Sequence, residues 1–565
     1  MSRRCLLLLI VCAPVFAAQP WTPTDLWAWR EISEVRIHPE GTAVLWVETF
    51  HDPQTDAAYS NLWKISPGDP EPRRLTDGKW RDGSHRWSPD GRHVAFLSDR
   101  SGTPQIWLRG MIDGRSRQET RVESPPLAFS WAPDGSALAY IARDGLFVVT
   151  VPATTPVHIP TGRLQLRGEP AWMPDGQSIL VSAAEPGAGY EIFAVRLNLA
   201  GARQISHHPG ENYDPEPSPD GSKIAWIGRD AKPHTYATAK LYVANADGSR
   251  VRILAGSLDR DVTRIQWGSD SRNLYFLAED SGASHVWAAR ADGNVRQVTA
   301  ARDRLLDFSL AGNGRAAALR STGEIVMFPV DVRGATTKLA SPNAALLAAR
   351  ETVAPEEIRY PSAGKNIQGW IVKPPAFDRA RKYPLLIDVQ DAPRRMCGVE
   401  FNLRAQIFAA RGFVVLCANP RGTPGFGEEF GNLLRTSEPG DRFDDVMRGI
   451  DYLIAQGFVD PARVHIVGGV LAAWAIGHTD RFRSAVAVDP IVTVEGDAER
   501  SPITFADDFK TPTLVIGTGA GTGAAALHGT LEARHVATSL LTIAEPHRPS
   551  ERIRRLDAVL DWLAK

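Results

Sequence analysis

Cysteine is scarce. The 565-residue chain has four, and two of them, Cys5 and Cys12, fall within the first eighteen residues. The remaining pair, Cys397 and Cys417, is too few for a disulfide framework. Cys417 lies in an apolar run and is expected to be a small core residue. Neither charge sign is in excess: 64 Lys and Arg against 65 Asp and Glu leave a formal charge of −1. That excludes a broad basic face for nucleic acid or an acidic membrane. Long apolar runs are absent after the N-terminus, so no membrane span is expected. Metal-ligand spacing is absent too. Without a third ligand at useful spacing, His207-His208 and Asp214 read as surface-loop residues, so neither a metal nor a cofactor is expected.

The first residues, Met1-Ser-Arg-Arg-Cys-Leu-Leu-Leu-Leu-Ile-Val-Cys-Ala-Pro-Val-Phe-Ala-Ala, combine a basic start, a short apolar run and a small-residue exit. This is the pattern of a secretory signal peptide over residues 1–18. The apolar run is shorter than the ~20 residues a spanning helix needs. The expectation is export, to the periplasm or beyond.

Glycine and proline are plentiful, at 48 and 41, and the 16 Trp recur at regular intervals. After a segment at 19–34 the chain repeats itself over residues 35–340. The clearest unit is Trp87-Ser-Pro-Asp-Gly91, followed by a short apolar strand. Related turns occur at Gly41, Gly135, Gly176 and Gly221, with weaker copies at Ser271 and Gly314. The spacings are 50, 44, 41, 45, 50 and 43 residues, the period of propeller blades. In Pro-Asp-Gly, Pro presets φ, Asp caps the turn and Gly takes positive φ. The aromatic before it is expected between neighbouring blades. Seven units predict a seven-bladed β-propeller.

An Ala/Leu-rich linker over 341–356 leads to a different texture over 357–565. Apolar strands at 384–389, 413–418, 464–467, 484–488 and 513–516 alternate with helices at 403–411, 442–456 and 552–563. This predicts a doubly wound, mostly parallel sheet. At its centre, strand 464–467 meets Gly468-Gly469 and then a helix, the layout of a nucleophile elbow in an α/β-hydrolase fold. Yet residues 455–483 contain no Ser and no Cys, and their only hydroxyl is Thr479.

Several stretches carry a resemblance: Gly369-Trp-Ile-Val-Lys-Pro-Pro, Asn419-Pro-Arg-Gly-Thr-Pro-Gly-Phe-Gly-Glu-Glu-Phe, Asp460-Pro-Ala-Arg, Gly477-His-Thr-Asp-Arg-Phe and Thr511-Pro-Thr-Leu-Val-Ile. The chain resembles the prolyl oligopeptidase family of serine peptidases, nearest its dipeptidyl- and acylaminoacyl-peptidase-like branches. That family cleaves short peptides with a Ser-His-Asp triad behind a propeller. The left flank of the elbow motif places Val470 where the family has its serine; the right flank places Ile466 there. The two registers differ by four residues, about one helical turn. A β-branched residue at positive φ is an outlier, so a relaxed, shortened turn is expected. The family's acid position falls on Gly521 in the loop 517–525, read as flexible, and its oxyanion loop on Gln390-Asp391-Ala-Pro. Asp391 brings the wrong sign for an oxyanion. His547 matches the family histidine, as a vestige.

These losses together imply a catalytically inactive homologue, holding peptides or a protein partner. The alternative is an active serine exopeptidase or oligopeptidase with a rearranged site, for which Ser484, Thr518 and Thr522 are the available hydroxyls.

Overall fold

In a computed structural model, the structure describes residues 17–565 apart from 199–200, 209, 232–235, 291, 390–394, 434–438 and 520. Residues 1–16 of the expected signal peptide, and Asp391, lie outside the described residues.

Each repeat folds into one four-stranded antiparallel sheet of consecutive strands. The seven sheets span residues 31–74, 82–118, 128–159, 165–204, 210–254, 262–297 and 305–340. The turn chemistry operates as the sequence implies. Gly41, Gly91, Gly135, Gly176 and Gly221 hold φ of 73°, 68°, 73°, 67° and 70°, a region open to glycine at little cost. Asp90, Asp134, Asp175, Asp220 and Asp270 each accept from the backbone N–H two residues on, at 2.9–3.0 Å. The aromatics lock blade to blade. The indole N–H groups of Trp87, Trp131 and Trp267 donate to the carbonyls of Arg36, Arg86 and Glu216 in the preceding blade.

No strand is shared between the first and last blades. Their junction is closed chiefly by Asp307, whose buried carboxylate accepts from the Val35 N–H at 3.1 Å and the Arg36 guanidinium at 2.9 Å. Ser309 accepts from the Ile37 N–H, and an apolar cluster including Val35, Trp46, Ala317 and Ile325 fills the seam.

The propeller is an insertion into the second domain. Before the first blade, Trp21 is fully buried in the core of the C-terminal domain, with Phe401 against both Trp21 and Trp29. The chain enters and leaves the propeller through one clip: the Asn343 amide accepts from the Arg30 N–H and donates to the Arg30 carbonyl, both at 2.9 Å. The segment before the first blade is also tied by Arg350 to Asp25 at 2.6 Å.

The C-terminal domain is built on eight strands: β1 (Glu356–Ser362), β2 (Lys365–Val372), β3 (Tyr383–Asp388), β4 (Val414–Asn419), β5 (Val459–Gly468), β6 (Ser484–Val488), β7 (Thr513–Thr518) and β8 (Thr538–Ile543). Their order is β1-β2-β4-β3-β5-β6-β7-β8, with β2 antiparallel to both neighbours and β4 through β8 parallel. This is an α/β-hydrolase sheet. Helices α1 (Leu403–Ala410), α2 (Gly440–Ala455), α3 (Val470–Ala475), α4 (Thr522–Ala533) and α5 (Pro549–Leu563) accompany it. Strand β5 begins earlier than the 464–467 read from hydropathy, because Val459 already pairs with Tyr383.

Two expectations need correction. Cys397 and Cys417 form a disulfide, with Cα atoms 6.0 Å apart. A long-range network folds the chain after β3 back onto β4: the Asn419 side chain accepts from the Cys397 N–H and donates to the Cys397 carbonyl and to Gln368. Sequence spacing carries no trace of that contact. In addition, 517–525 is not an open loop. Thr518 ends β7 and α4 starts at Thr522 with Gly521 as its N-cap. Gly523 is required there, since a Cβ would fall 2.1 Å from the Pro490 carbonyl oxygen.

Replacing Asp307 with Ala strands Arg36 and is expected to cost about 3 kcal/mol in chemical denaturation. A loss under about 1 kcal/mol would show that apolar packing alone closes the ring. Cys417→Ser opens a loop of 20 residues, with an expected cost of about 3 kcal/mol. Free-thiol titration of the unfolded chain without residues 1–18 should find neither Cys397 nor Cys417 reactive before reduction.

Candidate functional site

Strand β5 sits between β3 and β6, with Val467 opposite Val486 and Gly468 opposite Ala487. Its C-terminal end is therefore the middle of the sheet's edge, where a nucleophile would be presented. The turn has no left-handed residue. Gly469 has φ −101° and ψ −103°, and none of the described residues from Phe458 to Val488 has positive φ. Val470 opens α3, whose six residues are held from below by the Ala473 N–H to Gly469 carbonyl bond. Leu471 through Ala475 are buried. Helix α3 then ends in an aromatic cluster. His478 stacks on Trp474 with centroids 3.8 Å apart, and Phe505 closes on both. Gly477 is needed here because a Cβ would meet the Phe505 Cβ at 2.8 Å. The family-like Gly477-His478 pair thus fixes where the helix ends.

Ile466, the other register for the nucleophile, is wholly buried inside β5. Gly521 brings no carboxylate. His547 lies exposed in the turn after β8, with no hydrogen bond or ion pair among the described residues. Among the hydroxyls, Thr522 is exposed at the start of α4. Ser484 is buried at the N-terminal end of β6, across the sheet from the elbow turn, and hydrogen-bonds His465 at 2.8 Å. That pair is a core contact. Burial, with Arg483 and Arg463 adding repulsion, lowers the His465 pKa to about 4.

Thr518 has a partner that sequence reading missed. Asp489, at the end of β6, accepts from the Thr518 N–H at 2.6 Å and from the Thr518 hydroxyl. Asp489 holds φ 43°, a conformation tolerated better by Asp than by most residues. A signal was present: Asp489 directly follows the apolar run 484–488, at the mouth of the neighbouring strand.

Behind the elbow lies a cavity of about 210 Å³, lined by Val467, Gly468 and Gly469 of the elbow, by Arg404 and Phe408 of α1, and by Arg555 of α5 among others. Arg404 is paired with the buried Asp388 at the end of β3. Burial pushes the Asp388 carboxyl up, against the opposing pull of Arg404 and Arg395.

A second cavity, about 860 Å³, is the propeller channel. Its walls are the innermost strands, five of which place a positive-φ residue toward it: Glu34, Ser84, Gly168, Asp214 and Arg264. Asp214 is therefore a channel residue, not the surface-loop residue expected; it sits in the innermost strand of the fifth blade. Burial, and Asp214 nearby, push Glu216 up to about 8. His208 pairs with Asp230 at 3.1 Å, and no metal-holding cluster occurs among the described residues.

Residues 399–513 match the model of the prolyl oligopeptidase family of peptidases. Over that stretch the chain is similar to the prolyl oligopeptidase family. It is 26% identical over 543 residues to dipeptidyl-peptidase 5 of Porphyromonas gingivalis, covering 84% of this chain and 79% of the relative. It is 24% identical over 606 residues to the uncharacterized peptidase YuxL of Bacillus subtilis, covering 88% and 90%. Its fold matches the acylaminoacyl peptidase of Pyrococcus horikoshii with a TM-score of 0.83 at 18% identity, covering 96% and 97%.

The His465–Ser484 pair yields a pH test. The unfolded histidine titrates near 6.5 and the folded one near 4, so between those values the unfolded chain binds more protons. Stability should fall as pH drops from about 6.5 and level off near 4, with a total contribution of up to about 3 kcal/mol. Denaturation midpoints measured across that range check it, and His465→Phe should flatten this component. Ser484→Ala should cost about 1–2 kcal/mol without affecting ligand binding.

Proposed function

We propose that this prolyl oligopeptidase-family protein is exported and acts as a non-catalytic peptide-binding module. The observation that carries the reading is the elbow. An aliphatic Val470 opens α3, and the preceding glycine turn lacks the positive φ at which an elbow presents its nucleophile. The triad mechanism needs nucleophile, base, orienting acid and oxyanion donors in one place. Here the nucleophile position is aliphatic, the acid position is Gly521, and His547 has no partner among the described residues. Loss of the serine alone costs ~10⁶ in kcat in a serine protease. The disulfide supports an oxidising destination, as does the basic-apolar-small order of residues 1–18. The two cavities, one in the propeller channel and one beneath the elbow, are the places where a peptide would be held.

A second reading is carried by the Asp489–Thr518 pair, together with the peptidase names of the relatives. In it, a hydroxyl at the mouth of β7, next to a carboxylate, replaces the serine of a working hydrolase.

One experiment separates the two. The purified chain, exposed to a fluorophosphonate probe and to chromogenic dipeptidyl and acylaminoacyl substrates, should neither label nor turn over. It should still bind a short-peptide library in equilibrium dialysis. Labelling that disappears in Thr518→Val would establish the second reading and overturn the first.

A further inference from the structure

We propose that the cavity beneath the elbow is a carboxylate site, built to hold a monoanion with a short aliphatic tail. The inference rests on the charges and shape of the lining. Two guanidinium-bearing residues, Arg404 and Arg555, face a space of about 210 Å³ whose other side chains are apolar: Val389, Phe408, Val488 and Leu556 among them. They come from opposite helices at helical spacing, Arg404 with Phe408 on α1, and Arg555 with Val559 on α5, so each helix turns one cation inward beside apolar side chains.

The two cations are not equivalent. Arg404 is neutralised by Asp388. Arg555 has no hydrogen bond or ion pair among the described residues, although its neighbours on α5 are all engaged: Arg552 with Glu31, and Arg554 with Glu551. Burial, then Arg404 and Arg552, lower the Arg555 pKa, and only Asp489 opposes them. A half-buried guanidinium beside a second cation, in an apolar hollow, is a charge without its counter-ion. One negative charge completes it, and a carboxylate matches the planar fork of an arginine. The volume sets the tail. At about 30 Å³ per water, the cavity holds about seven waters' worth of ligand, a carboxyl group with about four to six carbons. Gly468 and Gly469 contribute only backbone to the lining, so no side chain of the glycine turn narrows the space.

Two sources present this chemistry: a free short-chain carboxylic acid, and the C-terminal residue of a peptide with an apolar side chain. The assignment deepens the peptide-binding reading and rests on it in the second case only.

Isothermal titration of the full chain with isovalerate and hexanoate, against isoamyl alcohol and hexanamide, tests the shared chemistry. The acids should bind and the neutral analogues should not. Arg555→Gln should weaken acid binding at least tenfold, with an unchanged circular dichroism spectrum. Arg555→Lys, which keeps the charge and loses the fork, should lie between. Peptides ending in Leu are then compared as free acids and as amides. Free-acid peptides binding more tightly than their amides, with the difference abolished by Arg555→Gln, identify the peptide as source. Binding of the small acids alone identifies the free acid. Acids that fail to bind, or that bind Arg555→Gln equally well, overturn the assignment. Equal, Arg555-independent binding of both peptide forms would overturn it while leaving the peptide-binding reading intact.

Discussion

The parallel pairing of β5 between β3 and β6 is the constraint on which the C-terminal domain depends. Val464, Ile466 and Val467 are buried, and the Val389 N–H closes the ladder onto the Val467 carbonyl at 2.9 Å. A strand held in this way must end at the centre of the sheet's edge, and the helix that follows must leave from there whatever residues occupy the turn. The residues of the turn can therefore vary while the surrounding framework persists. The Trp474–His478–Phe505 cluster fixes the far end of α3, the ladder fixes the near end, and the residues between adjust. The hydrophobic terms that keep the domain folded lie below the turn, in the clusters on the two faces of the sheet, and do not involve the groups that would perform hydrolysis.

The propeller depends on a different economy. Each blade completes its own four strands, so no backbone ladder crosses from one to the next. Cohesion between blades comes from side chains reaching sideways, the indole N–H groups donating to a neighbour's carbonyl and Asp307 at the seam, together with single backbone bonds such as the Gly312 N–H to the Pro39 carbonyl at 2.8 Å. Aromatic residues placed at the repeat period serve this purpose because each carries a large apolar face and a single donor.

Legibility in the sequence followed the range of the interactions. The Pro-Asp-Gly turns are local, since the aspartate bonds two residues on and the glycine's φ is its own, and they marked the blades. The apolar strands and the period of α2 and α5 marked the sheet. What stayed hidden is long-range. The Cys397–Cys417 bridge depends on Asn419 and Gln368 folding a loop back. Asp489 meets Thr518 only because β6 and β7 are neighbours. Arg404 and Arg555 face one cavity from helices some 150 residues apart in sequence. Helix α4 was hidden by its glycines and short side chains, which read as a loop until Gly523 is seen packed against Pro490. The absence at the elbow, by contrast, was fully legible, because a missing hydroxyl needs no partner to be noticed.

The Asn343 clip and the burial of Trp21 bear on the order in which the molecule can be made. Trp21 emerges early, yet the surface that covers it includes Phe401 and other residues of the C-terminal core. Between the two lies the whole propeller, which has to be synthesised, and its ring brought round, before residues 30 and 343 can meet. During translation the first segment therefore waits as an exposed aromatic tail while seven sheets assemble behind it, and it docks only when the last domain appears. The ends of the propeller are then joined by two hydrogen bonds from one asparagine. That geometry makes the ring a cassette: cut out at the clip, it would leave a gap that a short turn could span.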